Sequence, residues 1–556
     1  MYAMYARTKT FTNKDGSTRT YLQIVESVRE NGKVRQKVLL NMGRIEDLQE
    51  GNLDRLIASL VKFSKKQWIK AEAENLLVHH AKEWGLDLIF RHLWDKLYLE
   101  DILRQSFSSA HTSEQLSEAA YAMVLNRISD PLSKRGVNRW INEVYRPSFA
   151  QLELHHFYRS LDLLAEHKDD IERELFNRTQ SYFNMQVDML FWDTTSTYFE
   201  GKGPDELGRY GHSKDHRPDR VQVMIGVVMT RLGIPIAHEV FPGNTADSIT
   251  FIQIIDNMRK RFNLKRVIFV GDRGMVSKKI LDELDRNHIE YIVGMRMRKA
   301  RDVGEVLRTG GRYKVVRDNL KVKEVWYDAD RYIVCHNPIQ AEYDKKARQE
   351  IVEKLKDQLK NNGVKSLVGN SGYRRYLLMN KDAVVGIDQE VLKKEATYDG
   401  KYVLRTNSQL DADEVALAYK DLWRVERAFR EIKSSLDLRP VYHWKDSRVR
   451  GHIMVCFLAL VLESALQRKL AEKEIEVEYL YLLRDLQQLK AVELTIGEDR
   501  YLCRTELVGN ASSAFKALGI RPPLQIARIE NKRKTVKKKD KPEYTNLTLF
   551  PETEGV

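Results

Sequence analysis

The hydrophobic rhythm of this chain changes several times along its length. Around residues 18–43 apolar and polar positions alternate on either side of Asn31-Gly32. Period-two alternation about an Asn-Gly step predicts a β-hairpin, within a small β-rich N-terminal element spanning 1–50. From about 52 to 183 the periodicity is helical, with breaks. From 187 strand patterns return: "VDMLFWDTTSTYF", then "RVQVMIGVVMTR" and "IPIAHEVFPG" flanking Leu232-Gly233. "NTADSITFIQIIDNMRKRF" then reads as a helix, capped by Asn244 or Thr245, "RVIFVGDRGM" as a short buried strand running into a turn, "SKKILDELDRN" as a helix and "YIVGMR" as a strand. Three strands, then alternating helix and strand, is an α/β layer pattern that begins with an antiparallel meander.

Residues 300–405 interrupt this pattern with strand-like pieces around a charged helix at 340–361, and helical periodicity resumes near 411. The expected organisation is therefore a β-rich element (1–50), a helical region (51–183), a core in two parts (184–299 and 406–475), a β-rich insertion subdomain between them (300–405), a C-terminal helical region (476–530) and a basic, disordered tail (531–556). "HIMVCFLALVLESALQRKL" is the most apolar run, but Glu463 breaks it and charges follow, so it reads as a buried helix and no membrane span is expected.

Composition sharpens this picture. The net charge is +14, which favours a polyanionic partner such as nucleic acid. The three cysteines are far apart and form no CxxC pair, which fits a reducing cytoplasm and excludes a disulfide framework. The N-terminal stretch has no long apolar core of a secretory signal.

Three acidic residues stand out. Asp193 sits late in an apolar strand, where an unpaired carboxylate is costly. Asp272 follows "VIFV", and the carboxyl ends of buried strands in α/β sheets are where sites are built. Glu426 lies in "AYKDLWRVERAFREIKSSLDLRP". Placed on one helix, Tyr419, Trp423, Glu426, Arg430 and Lys433 form a single stripe, and Leu422, Val425, Phe429, Ile432 and Leu436 an apolar stripe beside it. A solvated face of i,i+4 ion pairs explains the charges but not the aligned aromatics. Carboxylates without histidine suit a hard cation, Mg²⁺ or alternatively Mn²⁺. Asp188, five residues before Asp193, has the opposite strand phase and stands outside this set; His238 and Glu239 read as strand residues.

These residues resemble the DDE insertion-sequence transposases, in the branch with a Y-x2-R-x3-E-x6-K signature. Tyr419, Glu426 and Lys433 match the signature at its spacing, and Leu422 stands where it has Arg. "GHSKDHRPDRVQVMIGVV", "GNTADS" and "VGDRGM" also look like this branch. The resemblance spans roughly 185–465. It implies an RNase H-like core with a mixed sheet, in which Asp193, Asp272 and Glu426 are catalytic and hold two metal ions per active site. It also implies that Trp423 stacks on a flipped base, with Tyr419, Arg430 and Lys433 contacting terminal DNA. His212, Lys214, His216 and Arg217, after the first strand, are further DNA-contact candidates, with a polar hairpin loop as the alternative; so are Lys134, Arg135 and Arg139 around Trp140, which would make 51–183 a DNA-binding region, with a solvated helix face and one buried Trp as an equal alternative. The expected activity is cleavage at the ends of a mobile element and strand transfer into target DNA, through a hairpin intermediate, by a homodimer on double-stranded DNA in the bacterial cytoplasm and nucleoid. The competing readings are a metal nuclease of the same fold that only hydrolyses, and a DNA-binding protein that has lost catalysis.

Overall fold

The computed structural model describes residues 4–30, 33–48, 52–60, 76–185, 187–245, 254–255, 257–258, 260–262, 267–273, 277–361, 374–380, 383–434, 436, 438, 441–497 and 499–529. The Asn31-Gly32 turn, much of the helix expected over 244–262 and the tail from 530 lie outside these residues. The chain forms two compact units, Met1–Val78 with Leu494–Tyr501, and His79–Glu493 with Leu502–Val556.

In the first unit the hairpin expected from alternation is present, with β2 (Thr18–Glu30) paired antiparallel to β3 (Lys33–Arg44). A further strand, β1 (Met4–Thr12), pairs with the other edge of β2. Short helices α1 (Ile45–Leu48) and α2 (Asn52–Leu60) follow.

Strand β4 (Leu76–Glu83), whose residues from His79 belong to the second unit, breaks into a region that reads as helical, and six α-helices follow. They are α3 (Gly85–Lys96), α4 (Leu99–Ser106), α5 (Ser113–Ser129), α6 (Lys134–Trp140), α7 (Leu154–Glu166) and α8 (Lys168–Tyr182). Then comes the core meander, β5 (Met189–Tyr198), β6 (Gln222–Thr230) and β7 (Pro235–Pro242). Next are β8 (Ile268–Gly271), α9 (Lys278–Arg286) and β9 (Glu290–Gly294). Both β8 and β9 run parallel to β5, while β6 is antiparallel to it. The spatial order β7-β6-β5-β8-β9 is the mixed sheet of an RNase H-like core.

The insertion continues this sheet. After α10 (Arg301–Arg308), strands β10 (Lys314–Arg317), β11 (Leu320–Tyr327) and β12 (Asp330–His336) are joined to β9 through β15 (Lys401–Thr406), which makes nine strands. The long charged helix α11 (Pro338–Asn361), the hairpin β13 (Leu377–Asn380) and β14 (Ala383–Ile387), and α12 (Gln389–Ala396) lie between β12 and β15. Three helices complete the core: α13 (Ala412–Lys420), α14 (Trp423–Ser434) and α15 (Asp446–Glu472).

The strand phase divides the core. Met189 and Phe191 join Ile268, Val270, Val425, Phe429 and Ile432 in the larger apolar cluster. Leu190 and Trp192 face the other way, with Phe269, Ile280, Leu281 and Leu284. Helix α15 carries the most apolar run; its apolar window is 89% buried inside the protein. Length and composition would let it cross a membrane, but burial among other protein elements satisfies it here. A buried ionic network ties α8 to β7: Glu172 accepts from the His238 backbone N–H at 2.9 Å and pairs with Arg261 at 2.8 Å.

Candidate active site

Asp193 and Asp272 become neighbours through strand pairing. Trp192 is opposite Gly271, and Gly271 opposite Val293, so Asp193, Asp272 and Gly294 are the next positions on three adjacent parallel strands. Such strands lie about 4.8 Å apart. Register beside Asp193 is set by Trp192, whose indole lies over Gly226; a Cβ there would fall 1.8 Å from the ring. Asp193 is half-buried, and its Oδ1 accepts from the Thr194 N–H at 2.7 Å. The phase of β5 and β8 directs both acids toward the side on which Val425, Phe429 and Ile432 of α14 pack. Asp188 precedes β5, and its carbonyl accepts from the Ile268 N–H.

The helix carrying Glu426 differs from the single helix anticipated. A capping box of Asp411 and Glu414 starts α13. The helix stops at Lys420, and α14 begins at Trp423 after a turn at Asp421-Leu422. This break takes Tyr419 out of line with the Trp423–Lys433 stripe. Its hydroxyl donates to Asp272 Oδ1 at 3.1 Å, and its ring stacks on Tyr402. Burial, then the Asp272 and Glu426 carboxylates, push the Tyr419 pKa up, so the hydroxyl keeps its proton. Space for the ring exists because residue 294 is glycine: a Cβ would lie 2.3 Å from the Tyr419 oxygen.

The apolar stripe is buried as the sequence implies, with Leu422 and Leu436 just outside the ends of α14, while the polar stripe keeps only part of its members on the surface. Leu422, Val425, Phe429, Ile432 and Leu436 are buried, and Trp423, Glu426 and Arg430 are exposed. Leu422, at the signature's Arg position, is in the core, and Arg424 lies over the Trp423 ring at 5.2 Å. Lys433 points inward, donating to Asp215 at 2.7 Å.

The loop before β6 folds onto β5. Lys214 donates from its ammonium to the Thr194 carbonyl at 2.7 Å and from its backbone to Ser196 Oγ at 2.8 Å. Arg217 pairs with Asp219 and lies over Tyr198, while His212 and His216 are exposed. In α6, Arg135 and Arg139 are exposed, but Lys134 is not on the surface: it is 3% exposed, and Trp140 is buried as well. Burial, then neighbouring Arg127, brings the Lys134 pKa down to about 7. The helix face that looks basic in the sequence therefore loses its first cation to the interior.

Asp272 also borders a cavity of about 650 Å³ that includes Arg273, Arg296, Arg298, Lys299, Arg348 and Arg375. The run "GMRMRKAR" at the end of β9 is the local sequence signal for part of this basic set. The donor chemistry of Asp193, Asp272 and Glu426, all oxygen, fits a hard divalent cation. Among the described residues, however, no group of three or more His, Cys, Asp or Glu side chains is gathered closely enough to hold a metal ion. The structure joins the two aspartates through the sheet and bonds Asp272 to Tyr419 of α13, the helix that precedes the one bearing Glu426.

An aspartate in the middle of β5, where the sequence suggested a place late in the strand, beside one just past the end of the parallel β8, in a sheet of this order, defines an RNase H-like core. Two family models match the chain: the transposase DDE domain over residues 190–462 and the IS1634 family transposase N-terminal domain over residues 6–74. The chain belongs to the DDE transposases of insertion sequences. No curated protein matches it. Among solved structures it is similar to the Mos1 transposase in a paired-end complex with the left transposon end, at 15% identity and a TM-score of 0.15, covering 43% of this chain and 64% of that one. It is also similar to Marinitoga piezophila Argonaute in complex with a 5′ OH guide RNA, at 7% identity and a TM-score of 0.15, covering 59% of this chain and 71% of that one.

Proposed function

We propose that this protein cleaves DNA at the ends of its own element in a divalent-metal-dependent reaction and joins those ends to target DNA. The observation that carries this reading is the placement of Asp193 and Asp272 side by side, with Tyr419 bonded to Asp272 at 3.1 Å just ahead of the helix that bears Glu426. In this reading Asp193, Asp272 and Glu426 would hold divalent ions, Mg²⁺ or Mn²⁺ and two per site, and the ions would supply Lewis-acid activation of the attacking oxygen and stabilisation of the leaving one. Trp423, 47% exposed, would stack on a base drawn out of the duplex near the cut. Arg430, Lys433, Lys214, Arg217, His212 and His216, together with Arg135 and Arg139, would contact backbone phosphates of double-stranded DNA. A homodimer would hold two ends together, and the protein would work in the bacterial cytoplasm and nucleoid.

The test is replacement of Asp193, Asp272 and Glu426 singly by Ala. Each variant should lose Mg²⁺-dependent cleavage while retaining DNA affinity; undiminished cleavage by any of them removes that residue from the site. Pre-cut ends carrying a free 3′-hydroxyl separate transposition from simple hydrolysis, since only a strand-transfer enzyme joins them. A Trp423→Ala protein should make little hairpin product; normal yields would end the base-flipping role.

A further inference from the structure

The ion pair between Lys433 and Asp215 lies largely out of water, with side chains 13% and 4% exposed. Asp215 sits in a loop that several bonds fasten. Lys214, its neighbour, is anchored to Thr194, the residue after Asp193, by the Thr194 carbonyl and hydroxyl at 2.7 and 3.0 Å. Ser213 Oγ accepts from the Arg217 N–H at 3.0 Å. His216, directly after Asp215, adopts φ 56, a left-handed conformation that a histidine takes at some cost. The loop thus presents one carboxylate to the lysine of α14 and is built onto the strand that carries Asp193.

We propose that Asp215 is a specificity-determining residue for DNA: it engages Lys433 so that a DNA phosphate gains this lysine only by displacing a protein carboxylate. A carboxylate and a phosphodiester are both anionic oxygen acceptors, and a lysine on its flexible four-carbon stem serves either. Parting a mostly desolvated pair has a cost, because each charge must find a replacement. DNA seated at the catalytic carboxylates offers a phosphate held in place by many other contacts, and this offsets the cost. DNA held loosely by its backbone lacks those contacts, so Asp215 suppresses loose binding more than seated binding. The inference rests on the proposed function, in which Lys433 contacts DNA.

The experiment measures binding of a random-sequence duplex to the full-length protein across a salt series, by fluorescence anisotropy. Wild type is compared with Asp215→Asn, Asp215→Ser, Lys433→Ala and the Asp215→Asn, Lys433→Ala double variant, each checked for folding by circular dichroism. Asp215→Asn is expected to bind about fivefold tighter than wild type, with a salt dependence steeper by about one unit, as for one added phosphate contact. Asp215→Ser, which removes the carboxylate by another route, should do the same, and the gain should vanish in the Lys433→Ala background. Equal or weaker binding by a folded Asp215 variant, or an unchanged gain without Lys433, overturns the inference and leaves the transposase reading intact. Absence of salt-dependent DNA binding by the wild type overturns that reading, and the inference with it.

Discussion

The Tyr419 hydroxyl donates to the Asp272 carboxylate across a sequence separation of 147 residues, at 3.1 Å. It ties Asp272 to the helix that leads to Glu426. Partners of this kind orient a ligating carboxylate and tune its affinity for metal. Tyr419→Phe keeps the ring and removes the donor. It should raise the Mg²⁺ concentration needed for half-maximal DNA cleavage by about tenfold, with little change in folding. An unaltered Mg²⁺ titration would show that the bond has no part in arranging Asp272.

Gly294 makes that bond possible, because any larger residue would meet the Tyr419 oxygen. Gly294→Ala should displace the tyrosine and lower stability by about 1–3 kcal/mol, as overpacking does. Urea denaturation checks the stability, and the same Mg²⁺ titration should show the Tyr419→Phe defect. Combining Gly294→Ala with Tyr419→Phe should recover much of the lost stability, since without the oxygen the nearest ring carbons stand at 3.0 and 3.3 Å from the new Cβ.

Acid should loosen the attachment of α8 to the sheet. Burial by itself would raise the pKa of Glu172, but Lys168, His238 and Arg261 overcome it and hold the group at about 2 against an ordinary 4.5. A depressed carboxylate stabilises the fold above its unfolded pKa, and that contribution disappears as the pH falls from about 4.5 toward 2. It amounts to about 3 kcal/mol. Denaturation midpoints measured across this window should fall for the wild type and fall less for Glu172→Gln, which starts from a lower stability because it leaves buried cations without their anion.

Glu463 has the opposite sign. It is 1% exposed on α15, and burial, then repulsion from Glu431, raises its pKa to about 8. A raised carboxyl supports the fold below its unfolded pKa of about 4.5, and this support is lost as the pH rises toward 8. Glu463→Gln should therefore be more stable than the wild type at pH 8, by a difference on the order of 4 kcal/mol, and the advantage should vanish near pH 4.5. Thermal melts over this range decide it; parallel curves for the two proteins would mean that Glu463 is charged in the fold.

How much of this was legible in advance follows from how local each signal is. Period-two alternation placed Met189, Phe191 and Asp193 on one side of β5 and Leu190 and Trp192 on the other, because side-chain direction in a strand depends only on position. The apolar stripe from Leu422 to Leu436 is buried as the helical period requires. Other features depend on partners far away in sequence. The break at Asp421-Leu422 turned Tyr419 onto Asp272, the inward turn of Lys134 took a cation off the surface, and the β10–β12 and β15 strands joined the core sheet at β9. Periodicity carries no record of which edge or cavity a residue will meet.

By itself, then, the sequence determined the α/β core, the phase of its strands, the two faces of α14 and the three acids worth testing, since each is written in local spacing and residue chemistry. Only the tertiary structure decided that Asp193 and Asp272 sit side by side, that Tyr419 serves Asp272, and that Lys433 is engaged by Asp215. Strand register and the burial of charge arise from packing among segments tens to hundreds of residues apart, where the cost of stranding a buried polar group selects its partner.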